Sequence, residues 1–165
     1  MKLCNFFLVL ILATSPAMAL DQPRARPEAG QQDGWRPYTI VRTGAHVDIP
    51  TAIFAKDAGP SQTGSGRRFF TADGRANLTV QSVRNRAGYS PAVFLAKMRP
   101  PSGVIYSRVT PNFFVLSSFR DKTIWYNRCN FSGHFAHCIL LNYPASESRR
   151  WDDVVTRISR TLASR

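Results

Sequence analysis

The chain has 165 residues, with 22 Lys or Arg against 10 Asp or Glu and a net charge of +12. Hydrophobic residues make up 44% and aromatics 12%, enough for a packed core and too many for a disordered polyelectrolyte. The length suits one domain of ordinary size and no apolar run approaches the ~20 residues of a membrane-spanning helix; a multidomain enzyme, a channel and a coiled coil are excluded.

The first nineteen residues read as a secretory signal peptide. Lys2 supplies the positive charge, Phe6 to Ala13 the short apolar stretch, Pro16 the break, and Ala17-Met18-Ala19 a small-x-small cleavage sequence, in the order such signals require. Cleavage is expected after Ala19, and Cys4 leaves with the signal because it precedes the apolar stretch instead of following it as a lipoprotein cysteine does. What remains has 146 residues, 21 basic against 10 acidic side chains and a net charge of +11. The destination is the bacterial periplasm or the exterior. Residues 20–34 are rich in Pro, Gly and Gln and read as a flexible leader, so one domain is expected over residues 35–165.

Strand signals come first. Tyr38 to Arg42 and Ala45 to Pro50 flank a Thr43-Gly44 turn, and Val47 and Ile49 alternate with His46 and Asp48 as in a half-buried strand. Residues 57–66 have the composition of a mobile loop. Arg67 to Ala72 and Ala76 to Val83 flank Asp73-Gly74, which predicts a tight hairpin turn. Ser90 to Met98 predicts a short helix with Ser90 as N-cap, Pro91 in the first position and Pro100-Pro101 forbidding continuation. Four strands should follow over Val104 to Thr110, Phe113 to Phe119, Thr123 to Phe131 and Phe135 to Tyr143. Their short links favour antiparallel neighbours. A helix from about Arg149 places Trp151, Val154, Val155, Ile158 and Leu162 on one face, with Ser148 as its cap and Asp152 and Asp153 in its first turn. The pattern is α+β, an antiparallel meander flanked by helices.

Cys129 and Cys138 are the two cysteines left after cleavage. Gly133-His134 as the central pair of a type II′ turn sets Cys129 opposite Cys138 as a non-hydrogen-bonded pair, with Cα atoms about 4.5 Å apart. A disulfide needs roughly 4.4 to 6.8 Å, so spacing, turn and compartment agree on one bridge. A metal site from Cys129, His134, His137 and Cys138 is the rival, but alternation sends His137 to the face opposite Cys138. A free thiol pair is the remaining reading.

Chemistry leaves little trace. There is no Gly-x-Ser-x-Gly elbow, no phosphate-binding or dinucleotide glycine signature, and no acid pair placed for glycoside chemistry, so no catalytic residue is assigned. His46 and Asp48 share a strand face and read as a solvated pair. The basic excess is 18 Arg and 4 Lys, a surface for anions such as phospholipid headgroups or acidic polysaccharide. Arg67-Arg68 and Arg149-Arg150, the adjacent pairs, are the candidate anion-binding residues. Phe113, Phe114, Trp125 and Tyr126 read as shared between core and an exposed patch.

Trp35-x-x-Tyr38, Asp48-Ile49-Pro50-x-x-x-Phe54, a Gly-Ser-Gly segment, residues 68–80 (RFFTADGRANLTV) and Leu141-Asn142-Tyr143-Pro144 before a terminal helix stand in that order. The series resembles small exported α-proteobacterial proteins of unknown function with a PsbP-like fold, that of the extrinsic subunit of the photosystem oxygen-evolving complex. It covers about residues 35–163 and implies an α/β/α sandwich with a non-catalytic accessory or binding role. No catalytic residue or cofactor comes with it. Gln62-Thr63-Gly64-Ser65-Gly66 stands where that group tends to show Asn-Gly-Asp-Gly, so an acidic ligand-binding loop is not implied. The expected partner is an envelope protein or an anionic envelope component, not nucleic acid, and a monomer is expected. The alternatives are a cationic envelope-associated protein that binds anionic lipid or polysaccharide, and a hydrolase with an unrecognised site.

Overall fold

A computed structural model of the chain describes residues 34–164. The signal sequence, its cleavage site and nearly all of the leader lie outside the described residues.

Among the described residues nine strands and two α-helices follow in chain order: β1 (Trp35–Ile40), β2 (Ala45–Pro50), β3 (Lys56–Pro60), β4 (Ser65–Phe70), β5 (Asn77–Arg84), α1 (Pro91–Lys97), β6 (Gly103–Val109), β7 (Phe113–Arg120), β8 (Thr123–Ser132), β9 (Phe135–Pro144) and α2 (Ser148–Thr161). β1 and β2 form a separate antiparallel hairpin. The other seven strands form one antiparallel sheet in the order β3-β4-β5-β9-β8-β7-β6. This departs from a simple meander. After β5 the chain crosses by way of α1 to the far edge, then returns strand by strand until β9 pairs with β5.

Alternation along the strands divides the core into two. Leu78, Val80, Ile139, Leu141 and Tyr143 pack with β2 and with Trp151, Val155 and Ile158 of α2. Phe114, Leu116, Cys129, Ala136 and Cys138 pack with Leu95 of α1. The registers put these two sets on opposite faces of the sheet, so each helix covers one face.

Several boundaries differ from the sequence reading. β1 starts at Trp35 and ends at Ile40, because Ile40 pairs with Ala45 and the amides of Thr43 and Gly44 both turn back to the Ile40 carbonyl. The stretch over 57–66 is largely paired: β3 forms an edge strand with a register shift between Asp57 and Pro60. Two glycines let the segment entering β4 lie close against β5, since a Cβ at Gly66 would stand 1.9 Å from the Val80 carbonyl oxygen and one at Gly64 2.2 Å from that of Ser82. Asp73-Gly74 is not a two-residue hairpin turn. The loop runs from Thr71 to Ala76, closed by Thr71 N–H to the Ala76 carbonyl at 3.1 Å. Asp73 instead accepts from the Thr71 hydroxyl and from both the backbone and the Nε of Arg75. These bonds, the Thr71 hydroxyl first and Arg75 next, hold its pKa below the usual carboxylate range.

The final helix also starts differently. It grows out of a 3-10 turn over Ala145–Glu147, so Ser148 has helical dihedrals and cannot act as the cap. Asp152 and Asp153 then fall beyond the first turn, which holds no acid. Its buried face is Trp151, Val155 and Ile158, with Leu162 following the helix.

The disulfide hairpin follows the sequence reading residue by residue. Ser132 pairs with Phe135, Asn130 with His137 and Cys129 with Cys138, and Gly133 adopts the positive φ of +53°. Cys129 and Cys138 are bonded with Cα atoms 4.1 Å apart. Neither is exposed to solvent.

Candidate functional site

The four arginines singled out by adjacency are held by different surroundings. Neighbouring residues of a strand point to opposite faces, and Arg67 and Arg68 do so on β4. Arg67 Nε meets Asp57 Oδ2 at 3.1 Å, whereas Arg68 Nη2 donates to the Ala58 carbonyl at 3.4 Å. Arg149 and Arg150 stand in the first turn of α2, and Arg150 lies 4.0 Å from Glu147. On β4, then, the adjacent pair Arg67 and Arg68 is split between Asp57 and the Ala58 carbonyl.

A basic groove forms elsewhere, between the end of β5 and α1. Its lining includes Arg84, Arg86 and Lys97 with Tyr89, Phe94 and Met98, around a volume of about 620 Å³. Asn85 builds the loop that carries it. The Asn85 side chain donates to the Tyr89 carbonyl at 2.8 Å and accepts from the Tyr89 amide at 2.9 Å. Gly88 at φ +63° lets the chain close between them. The Asn85 amide donates to the carbonyl of His134 at 2.8 Å, which fastens the loop to the tip of the disulfide hairpin. On the other wall, Ser90 caps α1 by accepting from Val93 N–H, and Pro91 opens the helix. Phe94 meets Phe131 edge-on with ring centroids 5.3 Å apart, so β8 fixes the helix wall as well.

The electrostatics of the groove are one-sided. Among the described residues no carboxylate lines it, and none of Arg84, Arg86 and Lys97 has an acidic partner. Lys97 Nζ lies over the Tyr89 ring at 4.7 Å, and the Arg84 guanidinium over Phe135 at 5.6 Å, contacts that hold cations near apolar surface without neutralising them. Such an arrangement can take an anionic group beside an apolar one. Sequence adjacency misses this set, since ten residues stand between Arg86 and Lys97. The available signal was Arg84-x-Arg86 at a strand end, a following Ala-Gly turn and a lysine in the last turn of the next helix.

A serine–histidine pair exists but is closed off. His137 Nδ1 lies 2.8 Å from the Ser82 hydroxyl, and its Nε2 3.0 Å from Ser132. Both ring nitrogens are thus engaged by hydroxyls, none by a carboxylate, and the residue is 1% exposed. Burial pushes its pKa down. The four sulfur and imidazole groups considered for a metal do not converge, because the cysteines are bonded to each other and His137 lies across the sheet from them. Among the described residues no group of three His, Cys, Asp or Glu is arranged to hold a metal ion. No helix among them is long and apolar enough to cross a membrane.

The predicted aromatic set divides by face. Phe114 is fully buried with the α1 layer, and Trp125 packs against that layer. Tyr126 points to α2 and donates to Ser159 at 2.7 Å. Phe113 lies between two guanidiniums, Arg108 at 5.4 Å and Arg128 at 5.0 Å.

No protein-family model matches the chain, and no curated protein sequence matches it significantly. Among solved structures it is similar to cyanobacterial PsbP (CyanoP) from Synechocystis sp. PCC 6803, with a TM-score of 0.58 at 11% identity, over 87% of this chain and all of that one. The fold of the described residues is PsbP-like.

Proposed function

We propose that this is an exported, non-catalytic binding or accessory protein of the bacterial envelope, and that the groove between β5 and α1 receives an anionic amphiphile. The observation that carries this reading is the convergence of Arg84, Arg86 and Lys97, without a carboxylate, on a groove walled by Tyr89, Phe94 and Met98. Charge alone would serve an acidic polysaccharide equally. The apolar wall favours a ligand with hydrocarbon next to its anionic group, such as an anionic phospholipid. The disulfide fits an oxidising compartment, and the signal-like first nineteen residues supply the route.

Vesicle sedimentation tests it. The protein should bind phosphatidylglycerol vesicles at low salt and phosphatidylcholine vesicles weakly, with the difference shrinking as salt rises. Each cation near an anionic surface contributes about 1 kcal/mol, so the R84Q/R86Q/K97Q variant should bind on the order of a hundredfold more weakly at low salt. R149Q/R150Q should bind nearly as well as the parent protein. Equal losses in the two variants would refute the groove as the site.

A further inference from the structure

The two edges of the seven-stranded sheet are β3 and β6, and their sequences treat that position in opposite ways. β3 has five residues, carries Lys56 and Asp57, ends in Pro60 and shifts register against β4, devices that stop a further strand from adding. β6 (GVIYSRV) is rich in strand-forming residue types and holds no proline, and all seven of its residues are exposed. Of the eight large apolar side chains left exposed among the described residues, Val104, Ile105, Tyr106 and Val109 stand on β6 and Phe119 opposite its first residue. Exposed apolar surface gathered in one place marks an interaction site. We infer that β6 is a docking edge, which takes an extended acidic segment of a partner protein as an eighth strand.

The backbone sets how such a segment lies. The Thr110 amide turns back to the Phe113 carbonyl of β7 at 2.8 Å. Direction alternates along an antiparallel strand, so Arg108 also faces β7, while Ser107 and Val109 turn their N–H and C=O groups to the open side. A register shift between Val104 and Tyr106 ends the regular edge. The added strand is therefore short, held by backbone bonds at Ser107 and Val109. Its residue opposite Arg108 is a non-hydrogen-bonded neighbour, the kind whose side chains approach most closely.

Charge identifies the occupant. Between Asp73 and Asp121 the sequence holds seven basic residues and no acidic one, and this stretch supplies α1, β6 and nearly all the surface around them. The guanidiniums of Arg108 and Arg128 both lie over the Phe113 ring, at 5.4 and 5.0 Å. Among the described residues neither has an acidic partner. Asp121, just past β7, lies 3.8 Å from Arg120. A second copy of the chain would bring the same positive charge to the edge, whereas a carboxylate opposite Arg108 meets a cation that is not neutralised. The fitting segment alternates, acidic opposite Arg108 and apolar opposite Val109. The edge shares no residue with the basic groove.

Capped eight-residue peptides of alternating glutamate and valine, or lysine and valine, test this by amide exchange read in nitrogen–proton spectra. The glutamate peptide should slow exchange at Ser107 and Val109 and leave Arg108, already bonded to β7, as it was. At low salt it should bind at least tenfold more tightly than the lysine peptide. Methylating the valine nitrogens of the peptide should abolish binding, and methylating the glutamate nitrogens should not. Ser107→Pro removes an outward N–H while sparing the β6–β7 ladder and should also abolish it. Arg108→Glu, a change at an exposed side chain, should reverse the preference between the peptides. The R84Q/R86Q/K97Q variant should bind the glutamate peptide as the parent does, so failure of the basic groove and failure of this edge are told apart. The inference is overturned if Ser107 and Val109 stay unprotected, if the two peptides bind alike, if Arg108→Glu keeps the parent's preference, or if sedimentation shows the chain pairing with itself through these amides.

Discussion

The imidazole of His137 and the hydroxyl of Ser82 are 2.8 Å apart, joined across β9 and β5 at a site without solvent access. Ser82 also meets Thr43 at 2.8 Å, and on the other side Ser132 reaches both His137 and Ser164. One imidazole thus links the β1–β2 turn, the middle of the sheet and the C-terminal segment. Its pKa is lowered because burial penalises the charged form. The unfolded chain, with histidine near the ordinary value of about 6.5, then binds a proton more readily than the folded one. The stability held by neutral His137 is complete above that pH and is lost as pH falls from about 6.5 towards the lower folded value, by at most about 1.4 kcal/mol per pH unit. Urea midpoints between pH 7.5 and pH 5 should therefore fall more steeply for the parent protein than for His137→Gln. Parallel pH profiles would show that His137 does not carry the effect.

Gly66 and Gly74 both have positive φ, +141° and +72°, yet they should respond differently to alanine. Among the described residues no atom lies within 4 Å of a Cβ at Gly74, so Gly74→Ala meets only the left-handed backbone penalty of about 1 to 2 kcal/mol. At Gly66 the added carbon would lie 1.9 Å from the Val80 carbonyl. β4 would have to move off β5, at a cost of more than about 3 kcal/mol. Denaturant unfolding of the two variants measures the difference. Equal losses would mean that the close approach at Gly66 is relieved cheaply.

What was legible in the sequence follows from how far each signal reaches. The register of β8 and β9 was readable because a two-residue turn fixes every pair after it, and Gly133 announces that turn. α2 was readable because its apolar face repeats with helical period. β3 was not, since Asp57-Ala58-Gly59-Pro60 is loop-like in composition and becomes a strand only through its pairing with β4. The β5–β9 pairing spans more than fifty residues, and no local residue choice encodes it. The groove was missed for the same reason: its cations meet only after α1 has been set against the end of β5.

Asp121 and Lys122 form the two-residue turn between β7 and β8 with φ of +51° and +65°. Two consecutive left-handed residues are the geometry of a type I′ turn, which prefers Asn-Gly or Asp-Gly. Lysine carries the steric penalty of its Cβ there, and among the described residues its side chain makes no hydrogen bond; its carbonyl, which accepts from Ala145 N–H at 2.9 Å, is retained in any substitution. Lys122→Gly should therefore stabilise the fold by about 0.5 to 1 kcal/mol. A thermal midpoint that rises by a few degrees confirms this, and one that falls would point to a role for the lysine side chain.

The disulfide should matter to the groove as well as to stability. Closing so short a loop contributes about 2 to 3 kcal/mol in the chain-entropy description, which Cys129→Ala/Cys138→Ala should lose in urea unfolding. The bridge also sits behind both walls of the groove. The hairpin tip holds Asn85 through the His134 carbonyl, and Phe131, two residues from Cys129, meets Phe94 of α1. Once the hairpin loosens, the loop bearing Arg84 and Arg86 and the helix bearing Lys97 lose their common support. At a temperature where the double variant remains folded, its affinity for phosphatidylglycerol vesicles should drop several-fold. If vesicle affinity is unchanged in a variant that has lost the stability, the groove is held by α1 packing alone and the hairpin plays no part in it.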